Sequence, residues 1–309
     1  MTLINPPLLT HGGTHAARAF RMMVRDLARG SQGVTEGNDL KASQLVTPGA
    51  GVRVGDGSAV VRGAAWGQGS YTQYNVGDAT VPVAPTGASA RSDLLVLRVE
   101  DPEYEGTRDP EKDEIGYFHV VSNVSATTTA VPSGMTAVAL ARLDIPANTS
   151  VITTAMISDL RSIANPRRDR RLYTAFPGSL SRLVYQDDKW HTWPGPATWR
   201  IAVPSWAVTA KLVTTFAGLR MDSADVYARM QQVLGTVQGQ DTAIDDDQGN
   251  NTRRSTIVLA DSLTIPAALR GTTQTLYVQT YMSKSVTGNL GVDAATSLIA
   301  DIEFTEGVV

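Results

Sequence analysis

Short runs in which every second residue is apolar dominate this 309-residue chain and constrain its fold more than any other feature. Leu298, Ile302 and Phe304 belong to one such run, and turn signals such as Asp56-Gly57 separate the runs. Alternation at period two places the apolar side chains on one face of a strand, and Asp-Gly is typical of a hairpin turn. With 27 Gly and 15 Pro as turn material, the sequence predicts a mainly β protein.

One segment near the N-terminus has helical periodicity instead. Its apolar residues recur three or four positions apart, at Ala16, Ala19, Phe20, Met23, Val24 and Leu27. Thr14 can cap the start, and Gly30 suits a left-handed stop at the end. The sequence therefore predicts one amphipathic helix from His15 to Arg29, preceded by an extended arm that contains Pro6-Pro7.

Strand-type runs then follow one another as far as Arg161. The predicted strands are Leu45–Thr47, Val52–Val54, Ser58–Arg62, Ser70–Val76, Arg91–Asp101, Tyr117–Val121 and Thr136–Ile145. Near its start, Arg91–Asp101 has apolar residues at both odd and even positions, so we expect both faces of this strand to be buried. The acidic segment Glu100–Glu114 is too polar for a core and is predicted to be a loop.

Regional charge and pattern divide the chain into three parts. Residues 1–162 and 196–309 each carry a net charge of −3, whereas residues 163–195 carry +3. The middle part has a small hairpin pattern, with Leu180–Tyr185 and Trp190–Trp193 on either side of a turn at Asp187-Asp188. We therefore predict an N-terminal β-rich domain with one helix (1–163), a short connector hairpin (164–195) and a C-terminal domain (196–309).

The C-terminal domain is predicted to be an antiparallel β-sandwich of jelly-roll-like type. Trp206, Val208, Ala210 and Leu212 are predicted to share one strand face, and Arg253–Ile265 is another strand candidate. The stretch Asp225–Leu234 fits a helix or a strand, and its all-β neighbours favour a strand. Several long strands within this length are typical of a sandwich.

Composition excludes several classes of protein. The net charge is −3, there is no cysteine, and the longest apolar runs are too short to cross a bilayer. The chain is therefore not expected to insert in a membrane, to bind nucleic acid or to hold a Cys-based metal site. No nucleophile elbow, phosphate-binding loop or zinc-hydrolase motif occurs, so we expect neither an enzyme nor a cofactor.

Two clusters are candidates for ligand contact, and each has a plainer interpretation. Trp190, Trp193 and Trp199 could stack on sugar rings, or they could pack a joint or a subunit interface. Asp245, Asp246 and Asp247 supply dense oxygen ligands for a cation or for a receptor. Because the alternating pattern of a calcium loop is absent, a solvated loop tip is the other interpretation of 241–251.

The order of short segments from Ile4 to Arg161 carries a resemblance. The segments are Asn5–Pro7, Leu27–Gly30, Gly37–Leu40, Pro48–Val54, Gly67–Tyr71, Arg91–Val99, Asp101–Gly106, Ala139–Leu143 and Ile157–Arg161. In these residues the chain resembles the attachment domain of phage minor tail proteins, especially those of actinobacteriophages. The hairpin with Leu183–Tyr185 and Trp190 is similar to modules that follow this domain in tail fibres.

The resemblance covers about half of the chain and implies a role. It implies a structural virion protein of the tail tip or baseplate, assembled in the host cytoplasm, usually as a homotrimer, with other tail-tip proteins as partners. The arm at Asn5, Pro6 and Pro7 would dock on a neighbour, and the distal sandwich would face the host for adsorption. The alternative is an adhesin whose distal domain binds a host cell-surface glycan, with an envelope depolymerase as a third possibility.

Overall fold

The computed structural model describes residues 7–247 and 249–309. The chain divides into two compact units, which are described separately below. The first unit runs to Pro166 and also contains Val308–Val309, and the second unit is Arg167–Gly307. The described residues are mainly β, so the predicted fold class is confirmed.

The first unit combines one α-helix with short strands, as far as its described residues go. These elements are α1 (Ala17–Leu27), β1 (Gly33–Val34), β2 (Ala42–Gln44), β3 (Gly51–Val54), β4 (Gly57–Arg62), β5 (Ser70–Asn75), β6 (Ala79–Pro82), β7 (Arg91–Val99), β8 (Gly116–Val124), β9 (Ala137–Ile145) and β10 (Ile157–Asp159). The strands pair antiparallel in the orders β1-β4-β5, β2-β3-β6 and β10-β9-β7-β8.

Strand β7 is buried on both faces, as its sequence predicts. Leu95 and Leu97 pack into the larger core of the unit, whereas Leu94 and Val96 pack into a smaller cluster on the other side of the sheet. A strand covered on both faces needs apolar residues on both alternations, because successive side chains point in opposite directions. The run Leu94–Leu97 meets that requirement.

The strand predicted at Leu45–Thr47 is misplaced. The pairing with β3 uses Ala42–Gln44 instead, and Val46 lies exposed just beyond it. The apolar Leu-Val pair gave a strand-like pattern, but backbone pairing with the neighbouring strand determines the real boundary.

Helix α1 is shorter than predicted and begins after Ala16, not at a Thr14 cap. Gly30 has the predicted left-handed conformation, with a φ of +72°, and its N–H donates to the Arg25 carbonyl at 2.8 Å. None of the eleven residues Ala17–Leu27 is buried. An amphipathic helix ordinarily buries its apolar face, so this one must be held by other contacts.

The second unit is built from two antiparallel sheets in its described residues. The strands are β11 (Arg168–Ala175), β12 (Ser181–Arg182), β13 (Trp190–Thr192), β14 (Thr198–Ala202), β15 (Ala207–Asp222), β16 (Val226–Leu234), β17 (Val237–Gln238), β18 (Thr242–Asp246), β19 (Arg253–Thr264), β20 (Thr273–Met282), β21 (Asn289–Val292) and β22 (Ser297–Glu306). The β15 sheet has the order β11-β22-β15-β21-β12, with β19 also on β15. The β20 sheet has the order β13-β20-β16-β17, with β14 on β20 and β18 on β16.

The two sheets face a common core. Phe216 and Phe304 of the β15 sheet and Met230 and Val278 of the β20 sheet belong to one buried cluster. This arrangement is the predicted antiparallel sandwich, and the ambiguous segment Asp225–Leu234 is the strand β16. Within the segment 164–195, predicted as a connector, β11, β12 and β13 pair with β22, β21 and β20 of this unit.

Irregular pairing changes which side chains of β15 are buried. The register between β15 and β22 shifts between Ala207 and Thr209, so Ala207 is buried while Trp206 and Val208 are only half-buried. The predicted single face from Trp206 to Leu212 is therefore wrong at its start. A bulge adds one residue to a strand and so reverses the alternation on one side of it.

No helix among the described residues is long and apolar enough to span a membrane.

Candidate functional site

Two of the segments that carry the resemblance, Gly67–Tyr71 and Asp101–Gly106, meet on the arginine face of α1. Arg21 donates from Nε to the Gln68 carbonyl at 2.9 Å and lies 3.3 Å from a carboxylate oxygen of Asp101. It also pairs with Glu103 at 2.5 Å. We call this cluster of Arg18, Arg21, Gln68, Tyr71, Asp101, Glu103 and Tyr104 the helix seat.

Aromatic rings and a buried amide complete the helix seat. The Arg21 guanidinium lies 5.4 Å from the Tyr71 ring centre and 5.5 Å from that of Tyr104. The Tyr71 hydroxyl donates to Asp101 at 2.7 Å, and buried Gln68 donates to that hydroxyl at 3.0 Å. Charged and cation–π contacts therefore hold α1 where apolar burial would ordinarily do so.

The electrostatics of the helix seat favour the ionised form of Glu103. The Arg21 hydrogen bond outweighs partial burial and lowers the pKa of Glu103, with further help from Tyr104 and Arg18. Burial, together with the hydrogen bond to Asp101, raises the pKa of Tyr71 far above its ordinary value. The seat is thus charged and fully paired near neutral pH, which is the pattern of a structural cluster.

A second polar cluster joins two more of these segments. The Arg161 side chain is fully buried and pairs with Asp159 at 2.8 Å. It donates to the carbonyls of Gly37 at 3.2 Å, Asp39 at 2.7 Å and Val309 at 3.0 Å. Burial opposes ionisation of Asp159, but the Arg161 hydrogen bonds prevail and lower its pKa. The segments Gly37–Leu40 and Ile157–Arg161, which are far apart in the sequence, are therefore held together by the buried Arg161 side chain.

A mainly apolar groove lies beside α1, and Arg18 of the helix seat and Asp26 are its polar lining residues. Pro7, Leu8 and Leu9 of the arm form one wall, and the helix forms the other with Ala19, Met22, Met23 and Leu27. The Leu9 and Leu27 side chains are 76% and 70% exposed. Asn5 and Pro6, the other two arm residues expected to dock, lie outside the described residues. We call this feature the arm–helix groove.

The tryptophans of the predicted contact cluster separate in the structure. Trp193 and Trp199 are only 6% and 7% exposed and belong to the core of the second unit, so neither ring can meet a ligand. Trp190 is half-buried and packs against Tyr281, with ring centres 5.9 Å apart. Trp193 and Trp199 are therefore core residues of the second unit, whereas Trp190 stays on the surface.

The three aspartates do not converge on one point. Asp245 and Asp246 lie in β18, where successive side chains point to opposite faces, and Asp247 follows the strand. Asp246 pairs with Arg253 at 3.0 Å. Among residues 7–247 and 249–309, no group of three or more His, Asp or Glu side chains could hold a metal ion. The loop-tip interpretation for 241–251 fails in part, because β18 occupies its first half.

The outer face of the β20 sheet carries polar and aromatic residues that the sequence analysis missed. Arg229 pairs across the sheet with Tyr281, which pairs with Trp190, and Gln231 pairs with Gln279. Tyr227 lies on the same face of β16 and is 39% exposed. The alternation Tyr277, Gln279, Tyr281 was the available signal, since Val278 and Thr280 between them are buried.

The outer face of the β15 sheet has a different character. Leu172 of β11, Val213 of β15 and Val258 of β19 are exposed there, with half-buried Ile299 of β22 between them. Leu172 and Val213 each pair directly with Asp301 of β22, so their side chains lie on the same face with β22 between their two strands. Exposed aliphatic side chains on adjacent strands are typical of a surface that contacts another protein.

Comparisons with known proteins give no family. No family model matches the chain, and no curated protein matches its sequence. Among solved structures, the chain is similar to the infectious bursal disease virus Gx strain, with 12% identity over 90% of this chain and 74% of that one, and a TM-score of 0.27.

Two further similarities are comparably distant. The infectious bursal disease virus VP2 subviral particle shares 11% identity over 90% of this chain and 79% of that one, with a TM-score of 0.26. The insecticidal delta-endotoxin Cry8Ea1 from Bacillus thuringiensis shares 10% identity over 90% and 52%, with a TM-score of 0.20. TM-scores this low do not establish a common overall fold, so these likenesses carry no weight for function.

Proposed function

We propose that this chain is a structural virion protein of a phage tail tip or baseplate. In this proposal the first unit anchors the protein to the tail, and the second unit presents its sandwich toward the host surface for adsorption. The ordered segments from Asn5 to Arg161 support the assignment, because two of them contact the arginines of α1 in the helix seat and two more are joined by Arg161.

The arm–helix groove is the observation that carries the anchoring role. The helix seat fixes α1 by its arginines, and this leaves Ala19, Met23 and Leu27 facing outward beside the arm. Leaving apolar side chains in water is unfavourable, at about 25 cal/mol per Å² of apolar surface. A neighbouring tail protein that inserts apolar side chains into this groove would recover that free energy.

This role needs no catalysis. The charged clusters described in both units are ion pairs with structural roles, and neither binding nor adhesion needs a catalytic group. We therefore propose that the protein is not an enzyme. The aspartates at 245 and 246 do not support an envelope depolymerase, because Asp246 is paired with Arg253 and Asp245 points to the other face of β18.

Self-association is part of the proposal. The exposed aliphatic residues Leu172, Val213 and Val258 lie on one face of the β15 sheet, where a second copy of the chain would cover them. Closed symmetric assemblies are the common way in which identical chains bury such a face. We infer a homotrimer from the resemblance to tail proteins, with this face at the contact between copies.

Incorporation into particles tests the anchoring role. Leu27→Asp and Met23→Asp place a charge in the arm–helix groove, and Val46→Asp is a matched control because Val46 is also exposed in the first unit. We expect mass spectrometry of purified particles to find the wild-type and Val46→Asp chains but at least tenfold less of the groove variants. Equal incorporation of all four chains would contradict anchoring through this groove.

A further inference from the structure

We infer that the outer face of the β20 sheet is a binding platform for a neutral polysaccharide. The platform consists of Trp190, Tyr227, Arg229, Gln231, Gln279 and Tyr281. The inference rests on the proposed function, because the polysaccharide would be the receptor that the second unit contacts on the host.

The side chains of the platform come from three adjacent strands. Gln231 of β16 pairs with Gln279 of β20, and Arg229 pairs with Tyr281 in the neighbouring row. Tyr281 in turn pairs with Trp190 of β13. Adjacent strands lie about 5 Å apart, so β16 and β13 are separated by about 10 Å, which is the scale of a disaccharide.

Fixed aromatic rings supply the apolar part of the platform. The Tyr281 hydroxyl donates to Asp188 at 2.9 Å, and Asp188 accepts the backbone N–H of Lys284 at 3.1 Å. The Lys284 ammonium lies 3.0 Å from the second oxygen of Asp188. These contacts fix the Tyr281 ring, against which Trp190 packs. A ring held in place loses little entropy when the C–H face of a sugar stacks on it.

Side-chain amides supply the polar part. Gln231 donates from Nε2 to Oε1 of Gln279 at 2.8 Å. That bond uses neither the NH₂ group of Gln279 nor the carbonyl oxygen of Gln231. Gln279 is half-buried, so its NH₂ group remains as a donor for sugar hydroxyls. Gln231 is only 9% exposed, and its bond holds the Gln279 amide in place. Amides next to fixed aromatic rings are the combination that a sugar requires, since its faces are apolar and its edges are polar.

Charge on this face favours a neutral ligand. Arg229 is paired with Asp241, and Lys284 is paired with Asp188. Asp245 lies beside Tyr227, because the two residues are directly paired between β18 and β16. Exposed Arg200 of β14 lies on the same face, because it pairs with Thr275 of β20, so these six groups sum to zero net charge. A face without net charge attracts neither a polyanion nor a polycation, which favours a neutral polysaccharide.

A second copy of the chain fits this face less well. The centre of a protein interface is apolar and depleted in charge. The exposed aliphatic residues Leu172, Val213 and Val258 lie on the opposite side of the sandwich, in the β15 sheet. Of the large apolar or aromatic residues that are clearly exposed in the second unit, Tyr227 is the one described on the β20 face.

Binding of the full-length chain to neutral polysaccharides tests the inference. The probes are soluble glucan, galactan, mannan and arabinan, measured by affinity electrophoresis and confirmed on an array of neutral oligosaccharides. We expect the wild-type chain to bind at least one of these polymers. We expect Tyr227→Ala and Trp190→Ala to weaken that binding at least tenfold, and Gln279→Ala to weaken it severalfold.

Controls separate a lost contact from a lost fold. Tyr74→Ala is the matched control, because Tyr74 is an exposed tyrosine of the first unit. It should bind as the wild type does. Replacement of the half-buried Trp190 could unfold the protein. Tyr227→Ala removes an exposed ring instead, so its effect on binding can be measured in a folded chain.

Three outcomes would overturn the inference. They are a wild-type chain that binds none of the polymers, platform variants that bind as tightly as the wild type, and platform variants that change the oligomeric mass. The last would show that a second copy covers this face. Detection of the chain in purified particles is measured independently, so failure of the platform leaves the proposed virion role separately testable.

Discussion

Gly69 shows how a single residue controls the position of α1. Its φ is +79°, and a Cβ there would lie 2.7 Å from the Arg21 backbone carbon. A side chain would push the helix off its seat, and the left-handed conformation would add strain. Only glycine combines this backbone conformation with so close an approach.

We expect Gly69→Ala to lower the free energy of unfolding of the first unit by about 1–3 kcal/mol. Gly67→Ala is the control two residues earlier, because a Cβ there meets no described atom within 4 Å. Urea unfolding followed by circular dichroism measures both variants. Equal stability of the Gly67 and Gly69 variants would show that α1 is not held by this close contact.

Asp293 makes the second unit sensitive to acid. Hydrogen bonds from Arg254, opposed by partial burial, lower the pKa of Asp293 from 3.8 to about 2. Its ionised form is thus favoured by folding. The stabilisation is fully present above about pH 4, and it is lost as the pH falls through about 2.

We expect Asp293→Asn to reduce stability at pH 7 and to flatten its dependence on pH between 4 and 2. Asp78→Asn is the control, since Asp78 forms an exposed ion pair with Arg53 and such pairs contribute little. Urea unfolding at pH 7, 4 and 2.5 is the measurement. A variant that keeps the wild-type slope below pH 4 would assign the acid sensitivity to other carboxylates.

Local sequence could not distinguish surface tryptophans from core tryptophans. Trp190, Trp193 and Trp199 look alike in the sequence, but the pairing of β13 and β14 with β20 buries two and leaves one half-exposed. Tyr227, Gln231 and Gln279 escaped notice for a related reason. Gln279 is 48 residues from Gln231, and only the register between β16 and β20 brings it beside the residues of β16.

Among the elements, β15, β16 and β19 are joined by a buried polar network inside the sandwich. Gln232 donates to the Leu212 carbonyl at 3.2 Å and to Asp261 at 2.7 Å. It also accepts from the Thr214 hydroxyl at 2.8 Å. Buried polar groups are costly when they lose their partners, so this network fixes the two sheets against each other.

We expect Gln232→Leu to destabilise the second unit by about 2–4 kcal/mol, because Thr214 and Asp261 would lose a partner. Gln238→Leu is the matched control, since Gln238 is exposed in β17. Thermal unfolding of each full-length variant measures the effect. A Gln232 variant as stable as the control would mean that apolar packing alone holds the sheets together.

The sequence predicted where strands occur better than it predicted which of their side chains face the core. The apolar alternation of Leu298–Phe304 and the strand candidate Arg253–Ile265 correctly predicted β22 and β19. The bulge after Ala207 was not predictable, because it depends on the partner strand and not on the alternation itself. The apolar face of α1 was likewise predictable from periodicity, but its exposure was not, because exposure depends on what packs against the helix.

For the whole molecule, oligomeric state is the first consequence of the proposal. We expect light scattering of the purified chain to give three times the 32.9 kDa monomer mass. Val213→Lys combined with Val258→Lys should lower that mass, because both side chains lie on the exposed face of the β15 sheet. Val46→Lys is the control, and a monomeric wild-type chain would contradict the trimer.

Imaging of assembled particles tests the central claim most directly. A single-particle reconstruction of purified phage should show the first unit at the tail tip, with apolar side chains of a neighbouring tail protein against Met23 and Leu27 in the arm–helix groove. Particles that lack this chain, or that contain it with the groove open to solvent, would contradict the account.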